Sequence, residues 1–308
     1  MSDLNLTRRQ LQAIVAVAEL QNISHAAVQL GVSQPSLSRV ITRIENDLTT
    51  PLFTRDSTGV SPTEAGERLA TRAAEVLRQI DDMEDELRTL DGELRGRVCV
   101  AMPDTIGHTM FLPLLDRFAN EHPNVEIRVM GAHPNNVPLA LSAGDADVGI
   151  ISSAHKQEGL DVRPMASEHL YLVGPGGRTQ RGDIELAEVA NIPLALPGIQ
   201  PGLRQVIDRA FATRGLKPNV LIEVDSQDTL VELIRDGRAQ SIMSYGGVLR
   251  PERRGEVVAR RIVNPTLDRE IGTAFPNNRS PTRLMRGVEE ELHQLAQELA
   301  PTARWAIP

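Results

Sequence analysis

The stretch that decides the fold lies near the amino end and reads ISHAAVQLGVSQPSLSR over residues 23–39. Its pattern predicts a short helix from Ser24 to Leu30, a turn at Gly31, and a second helix capped by Ser33. Glycine can end a helix because it adopts a left-handed conformation without steric cost. Proline is tolerated in the first turn, where Pro35 lies. Two helices joined by such a turn are typical of the helix-turn-helix motif.

If this motif binds DNA, we expect the second of these helices to carry the side chains that contact it. Gln34 can bond two atoms of an adenine, and Arg39 can bond a guanine edge or a phosphate. Ser36 and Ser38 can reach bases or backbone, and the start of a helix favours phosphate. The alternative is a generic small helical bundle with a polar surface.

The bulk composition limits where DNA can bind. The chain has 308 residues, enough for about two or three domains. Its net charge is −8, so any contact with DNA must be local. Residues 1–60 carry five basic and five acidic side chains, which predicts a shallow salt dependence of binding.

Other features indicate a protein of the cytoplasm. The start of the chain has no secretory signal pattern, and no apolar run reaches the length of a membrane span. The single cysteine, Cys99, excludes an intramolecular disulfide and fits a reducing compartment. Because Cys99 lies in a strand-like run, we expect an inert buried thiol.

A long helix is predicted from about Pro62 to Leu90. Its apolar residues are spaced alternately by four and three positions, which is the heptad pattern of a coiled coil. Charged residues flank this seam, which favours an interface between two chains. The alternative is a core helix that lies on its own domain. The predicted dimerisation residues are Leu69, Val76, Ile80, Met83 and Leu87.

From about residue 97 onward, strand-like and helix-like segments alternate. This rhythm predicts a parallel sheet with crossover helices, arranged as two similar α/β lobes. A last amphipathic helix is expected after Ser280-Pro281. The predicted strands are short buried segments at 98–102, 125–130, 146–151 and 170–173, with a return strand at 267–275.

Four motifs resemble the LysR-type family of bacterial transcription regulators: Ala26-Ala27, residues 33–39, PLFTR at 51–55 and PTEAG at 62–66. The resemblance covers nearly the whole chain and implies its organisation. A winged helix-turn-helix domain is expected at 1–62 and a long coiled-coil linker helix at 63–92. A two-lobed α/β effector domain similar to periplasmic binding proteins follows at 93–308. Its first lobe takes about 97–165 and 268–308, and its second about 166–267.

The resemblance also implies which residues meet DNA. Arg55 lies in the wing, where it contacts phosphate. The chain departs from the family at two places: glycine is often found near Thr49, and a second basic residue near Thr58. Because residues 1–60 carry no net charge, we expect modest affinity from each DNA-binding domain, with two or more of these domains bound together. The full predicted DNA-binding set is Ser33, Gln34, Pro35, Ser36, Ser38, Arg39, Arg43 and Arg55.

In the family, an effector binds in the cleft between the lobes, and here we expect a small polar or carboxylate metabolite. Thr105 is the leading candidate because its hydroxyl lies at a predicted helix start. Asp104 would repel an anion unless Arg204 neutralises it; Arg204 is otherwise an ordinary surface arginine. Each candidate is alternatively a helix cap or a tight turn. The predicted set is Asp104, Thr105, Met130, Ser152, Gln200, Gly202 and Tyr245.

A looser resemblance links the chain to the branch of the family concerned with nitrogen assimilation, in which some regulators work without a ligand. It is carried by residues 58–66 and 170–174. The partners implied are promoter DNA, a small-molecule effector, RNA polymerase, and further copies of the chain in a dimer or homotetramer. An empty cleft remains an alternative.

The sequence does not fit two other classes of function. An enzyme would need convergent titratable groups, and the sequence shows no such set, no nucleophile elbow and no phosphate loop. A transport-type binding protein would need an export signal. The seven histidines lack metal-ligand spacing, so neither catalytic residues, metal nor cofactor is expected.

Overall fold

The computed structural model describes residues 6–56, 59–88, 93–152, 158–177, 182–199 and 202–307. In the helix and strand segments, the side chains of residues 55, 56, 81, 82 and 85–88 lie outside this description. The chain forms two compact units, Met1–Asp91 and Gly92–Pro308. Within the described ranges, no helix combines the length and the apolar character needed to cross a bilayer.

The first unit contains three short helices, a hairpin and a long helix. Its elements are α1 (Arg8–Leu20), α2 (Ile23–Gln29), α3 (Gln34–Leu48), β1 (Phe53–Asp56), β2 (Gly59–Pro62) and α4 (Glu64–Arg88).

Local capping sets where these helices begin and end. Thr7 and Gln10 form the capping box at the start of α1, with the Thr7 amide donating to Gln10 Oε1 at 2.9 Å. The helix predicted to start at Ser24 starts one residue earlier, at Ile23. Its cap is Asn22, whose Oδ1 accepts from the amides of Ser24 and His25. The expected left-handed glycine is confirmed, since Gly31 has φ +64°.

The hairpin is attached to the helices by two polar anchors. Glu45 of α3 accepts from the amides of Leu52 and Phe53, at 2.8 and 3.1 Å. Thr63 caps α4 by accepting from the Gly66 amide at 3.1 Å. A Cβ at position 66 would lie 2.0 Å from the Leu52 carbonyl oxygen, so only glycine lets α4 start this close to the hairpin.

The long helix α4 packs partly against its own unit. It packs along α1, where Ala73 is buried, and Leu69 packs against the helix-turn-helix core. Arg8 and Glu84 form an ion pair at 2.7 Å. Two seam residues remain open, Val76 at 42% and Met83 at 57% exposure. The alternative of a helix lying on its own domain therefore holds for Leu69, and Leu87 lies outside the described side chains.

The second unit contains two α/β lobes. The chain first runs through β3 (Gly96–Pro103), α5 (Asp104–Glu121), β4 (Val125–Ala132), α6 (Val137–Ala143), β5 (Val148–Ser152) and β6 (Leu160–Pro175). The second lobe contributes β7 (Ile184–Glu185), α7 (Leu186–Val189), β8 (Leu194–Leu196), α8 (Leu203–Thr213), β9 (Val220–Glu223), α9 (Gln227–Arg235), β10 (Ser241–Ser244), α10 (Leu249–Arg253) and β11 (Val257–Val263). The chain then returns through β12 (Asp268–Pro276), α11 (Arg283–Ala303) and β13 (Trp305–Ala306).

One long strand connects the lobes. The main sheet has the order β4-β3-β5-β12-β6-β11-β7, with β10 and β13 also paired to β6. The first half of β6 pairs with β12, and its second half pairs with β10 and β11. The predicted short strand at 170–173 is therefore wrong in extent, because it is the distal half of a 16-residue strand.

Pairing direction and burial also refine the sequence prediction. Strands β4, β3 and β5 are parallel, as expected, whereas β12 is antiparallel to both β5 and β6. The expected buried strand at 125–130 is only half-buried, because β4 is an edge strand of the sheet. The first lobe's core is formed around Met102, Phe118 and Val288, and the second lobe's around Leu172, Leu196 and Phe211.

Candidate DNA-binding surface and ligand cavity

Helix α3 has one apolar and one polar face. Leu37, Ile41 and Ile44 are buried in the core of the first unit. The opposite face is exposed and carries Gln34, Arg39 and Arg43. Since positions four apart on a helix share a face, the buried residues fix which side chains project outward.

Most of the predicted DNA-binding residues lie together on this face. Gln34, Pro35, Ser38, Arg39 and Arg43 border one shallow groove, which continues to Asn46 and Asp47. Asp47 approaches Arg43, with 3.9 Å between carboxylate oxygen and Nε. The groove therefore presents donors and acceptors near the amino end of α3 and one acidic side chain at its far end.

The remaining predicted residues have other positions. Ser33 is the cap of α3 and its hydroxyl accepts from the Ser36 amide at 3.4 Å, so both contribute to the helix start. Arg39 Nε donates to the Pro35 carbonyl at 3.3 Å, which holds the exposed guanidinium against its own helix. Arg55 lies in strand β1, and its side chain lies outside the described part of the chain.

A cavity of about 400 Å³ lies between the lobes of the second unit. Asp104 and Thr105, at the start of α5, line it from the first lobe. Gly202, at the start of α8, lines it from the second. The carboxyl ends of strands and the first turns of helices thus meet here, as is common for ligand sites in α/β folds. Three of the predicted effector residues are brought together.

Other predicted effector residues lie elsewhere in the described structure. Tyr245 does not line the cavity, because its ring packs near Tyr171 and its hydroxyl donates to Glu252 at 2.6 Å. Met130 is not part of the cavity lining and packs against the hydrophobic cluster around Cys99 and Ala101. Ser152 borders a different cavity. Gln200 lies outside the described residues.

The structure adds lining residues that the sequence interpretation missed. They are Asp225 and Asp228, on either side of the α9 cap Ser226, and the histidines His108 and His133. The available signal was their position around a helix start that follows a strand, which is the same position that Thr105 has on α5.

Arg204 is neither a surface arginine nor a partner of Asp104. It is only 8% exposed, and it bonds Asp208, the Pro197 carbonyl and Glu223. Burial lowers the pKa of this guanidinium, but the hydrogen bonds to Glu223 and Asp208 raise it above the ordinary value. Arg204 therefore stays charged and already has its counterions.

A close contact joins the two lobes beside the cavity. A Cβ at Gly246 would lie 2.4 Å from the Thr105 carbonyl oxygen, so the absence of a side chain allows this approach. Gln227 donates to the Gly247 carbonyl at 2.9 Å. The start of α5 and the loop after β10 therefore touch directly, and a change in lobe angle would alter this contact.

The buried state of Cys99 is confirmed. It lies in β3 with 8% exposure, and burial raises the pKa of its thiol. A protonated, buried thiol is a weak nucleophile.

Comparison with known families explains this organisation. The family model for the LysR substrate binding domain matches residues 91–297, and that for the bacterial regulatory helix-turn-helix of the lysR family matches residues 8–67. The chain belongs to the LysR family. It is therefore a LysR-type DNA-binding transcriptional regulator with an effector-binding substrate domain, as the sequence motifs predicted.

Named relatives of this LysR-type regulator include the nitrogen assimilation regulatory protein nac of Klebsiella aerogenes. It is 29% identical over 240 residues, which cover 76% of this chain and 77% of that protein. The uncharacterized HTH-type transcriptional regulator YybE of Bacillus subtilis is 26% identical over 276 residues, which cover 88% of this chain and 92% of that protein.

Solved structures support the fold of the LysR-type chain. CbnR complexed with its target DNA has a TM-score of 0.69 at 24% identity, covering 94% of this chain and 99% of that chain. The OxyR C206 mutant of Corynebacterium glutamicum has a TM-score of 0.66 at 21% identity, covering 98% of this chain and 96% of that one. The predicted fold, a helix-turn-helix followed by a two-lobed α/β domain, is confirmed.

Proposed function

We propose that this LysR-type regulator binds operator DNA through the exposed face of α3 and changes its activity when a small molecule occupies the cavity between its lobes. The observation that carries the proposal is the groove at the start of α3, where Gln34, Ser38 and Arg39 lie above a fully packed core. A recognition helix needs this division, because the buried side holds it rigid while the other side enters the major groove.

The wing is the second DNA contact in this proposal. Arg55 follows α3 in the hairpin that Glu45 ties to that helix, so its backbone is held close to the recognition helix. It is assigned to phosphate, which positions the domain without reading sequence. The DNA-binding set is the one predicted from the sequence, with Ser33 and Ser36 contributing the helix start.

Self-association through α4 is part of the same proposal. Val76 and Met83 are one heptad apart and exposed, which supports an apolar contact with a second copy. Pairing of effector domains would then give a tetramer whose four heads span neighbouring sites. Because residues 1–60 are electrically neutral overall, joint engagement of several heads supplies the affinity that one head lacks.

The effector domain is assigned a sensing role and not catalysis, in agreement with a family of regulators. Ligand in the cavity would contact both lobes and shift the balance between their arrangements, since a ligand favours the state it binds more tightly. The site of action is the cytoplasm, where promoter DNA and RNA polymerase are found. The relationship to nac supports a role in nitrogen metabolism as the first pathway to test.

The proposal is tested by DNase footprinting of the purified full-length protein on the promoter of a divergently oriented neighbouring gene. We expect a protected segment with flanking sites that become hypersensitive if the DNA bends. Uniform coverage at all concentrations, or no protection at any concentration that the protein tolerates, would count against a sequence-specific regulator. Turnover of a metabolite by the same preparation would point to an enzyme.

A further inference from the structure

A buried arginine lines the cavity between the lobes. Arg269 is only 5% exposed and lies on β12 of the main sheet. It borders the cavity of about 400 Å³ and also the cavity that Ser152 borders. Because a charged side chain is rarely buried this deeply without partners, its hydrogen bonds show what it can still bind.

The protein uses only part of this guanidinium. Nε and Nη2 of Arg269 both donate to the same oxygen of Glu168, Oε2, with Nε at 3.0 Å. Glu168 is 1% exposed and lies opposite Arg269 in the register of β6 and β12. Among the described residues, no group accepts a hydrogen bond from Arg269 Nη1. An arginine commonly binds a carboxylate through two parallel bonds to its two oxygens, so this pairing leaves the Nη1 hydrogens for another acceptor.

A second buried polar side chain lines the same cavity. Ser244 ends β10 and is 3% exposed, and its hydroxyl has no hydrogen-bond partner within the described part of the chain. Ser244 lies opposite Leu170 of β6, which is two positions from Glu168, the partner of Arg269. Side chains two positions apart on a strand, and those opposite them, project from the same face of a sheet. Arg269 and Ser244 therefore project from one face and line one cavity.

The start of α8 adds backbone donors to the same wall. Gly202, Leu203 and Arg204 line the cavity, and the helix continues for 11 residues to Thr213. Gly202 has no side chain to cap the first amides, and the first turn holds no acidic residue. The first amides of a helix and its dipole favour an anion. A guanidinium, a hydroxyl and backbone amides thus border one space.

The acidic side chains of the lining do not neutralise these donors. Asp104, Asp225 and Asp228 are exposed to solvent, which screens their charge. The buried donors act where the dielectric constant is lower, so their attraction for an anion is less weakened. Arg204 already has two carboxylate partners. Within the described lining, Arg269 is therefore the arginine that can hold a ligand.

We propose that Arg269 and Ser244 bind a carboxylate of the effector, with Arg269 Nη1 and the Ser244 hydroxyl donating to its oxygens and the start of α8 facing it. This inference rests on the proposed sensing role of the cavity and deepens it. It keeps the carboxylate class expected from the sequence and assigns its recognition to Arg269 in place of Arg204. Because β6 pairs with strands of both lobes, a carboxylate at Arg269 lies where the lobes meet.

Two dicarboxylates and their neutral diamides test the need for charge: succinate with succinamide, and glutarate with glutaramide. Each is added at about 10 mM to the full-length protein, at matched ionic strength, and the Tm is recorded. We expect at least one dicarboxylate to raise Tm by about 2 °C or more, saturably, and its diamide to have no effect at the same concentration.

Variants tie the effect to these two side chains. Ser244→Ala removes a hydroxyl that holds no described protein group, so the ligand-free Tm should stay nearly unchanged while the dicarboxylate binds about threefold more weakly or worse. Ser241→Ala makes the same change at a buried serine of the same strand outside the lining and should keep the wild-type shift. The double variant Glu168→Gln/Arg269→Gln removes both buried charges together, because one alone would be left uncompensated, and should abolish the shift.

The inference is overturned if neither dicarboxylate stabilises the protein, if a diamide stabilises as well as its diacid, or if Ser244→Ala binds as tightly as Ser241→Ala does. Should the double variant not fold, the two serine variants decide. Footprinting of the same preparation distinguishes the two levels of the account. Retained DNA protection with any of these overturning results removes only the ligand assignment, whereas a wild-type protein that protects no DNA removes the proposed function itself.

Discussion

The guanidinium carbon of Arg304 lies 3.8 Å from the ring centroid of Tyr245 and 5.3 Å from that of Tyr171. The same side chain lies 3.2 Å from Glu252, which also accepts the Tyr245 hydroxyl. Arg304 ends α11, whereas Tyr245 and Glu252 belong to the second lobe. Arg304, which ends the first-lobe helix α11, therefore contacts the second lobe.

Arg304→Ala removes this contact. Because a partly desolvated cation over an aromatic ring contributes about 0.5–2 kcal/mol, we expect the free energy of unfolding to fall by about 1 kcal/mol. Urea unfolding followed by circular dichroism measures it. Arg214→Ala, at an exposed arginine that ends α8, is the control and should change little. Equal effects of the two substitutions would contradict a specific role for Arg304.

The chain has only two tyrosines, Tyr171 and Tyr245, and both resist ionisation. Burial, with the hydrogen bond to Glu252, raises the pKa of Tyr245 to about 12, and burial raises the pKa of Tyr171. Since the unfolded pKa is about 10, the neutral form favours the folded state. This stabilisation is complete below pH 10 and is lost as the pH rises toward 12. Absorbance of tyrosinate should therefore stay low at pH 10 in the native protein and appear at once on unfolding; a native titration centred at pH 10 would be the contrary result.

Thr49 ends α3 in a left-handed conformation, with φ 52° and ψ 32°. The sequence comparison with the family anticipates glycine near this position. A threonine there is strained by about 1–2 kcal/mol, so Thr49→Gly should stabilise the protein by about 1 kcal/mol after the entropy of glycine is included. Thr50→Gly, next in the chain but outside the left-handed region, should destabilise it. Thermal unfolding compares the two, and destabilisation by both would show that the backbone strain is absent.

Val76 is exposed on α4 in the isolated chain. If it lies in an interface between copies, Val76→Asp places a charge in that apolar contact, and the mass by sedimentation should fall from that of the tetramer to that of a dimer held by the effector domains alone. Thr71→Asp, on a different face of the same helix, should leave the mass unchanged. A Val76→Asp protein with the mass of the wild type would remove α4 from the proposed interface.

Particular residues show which parts of the first unit could be predicted from the sequence and which could not. The helix-turn-helix could be predicted because its signals are local: Ser33, Gly31 and the spacing of Leu37, Ile41 and Ile44 each act within a few residues. The cap Asn22 was missed because Ser24, which also has cap chemistry, stands two positions later. Whether α4 packs on its own unit was left open by the sequence, because a heptad pattern shows an apolar stripe but not what covers it. In the structure α4 packs along α1, and Ala73 is buried.

Only some of the residues that line the cavity could be predicted from the sequence. Asp104, Thr105 and Gly202 were found because they follow strands and open helices. Asp225 and Asp228 come from a later strand–helix turn, and no local rule says that two such turns face each other. The ion pairs of Arg204 are made with Asp208 and Glu223, of which Glu223 is 19 residues away. Tyr245 was misplaced because its partner Arg304 lies at the far end of the chain.

The central claim, that the exposed face of α3 reads DNA, is tested most directly by fluorescence anisotropy of the full-length protein on its footprinted operator. Arg39→Ala should weaken binding by about tenfold or more, since one good base contact is worth about 1–3 kcal/mol, and its circular dichroism should match the wild type because Arg39 is exposed. Arg254→Ala, an exposed arginine of the second unit, should bind normally. Wild-type affinity of Arg39→Ala for that operator would contradict the account.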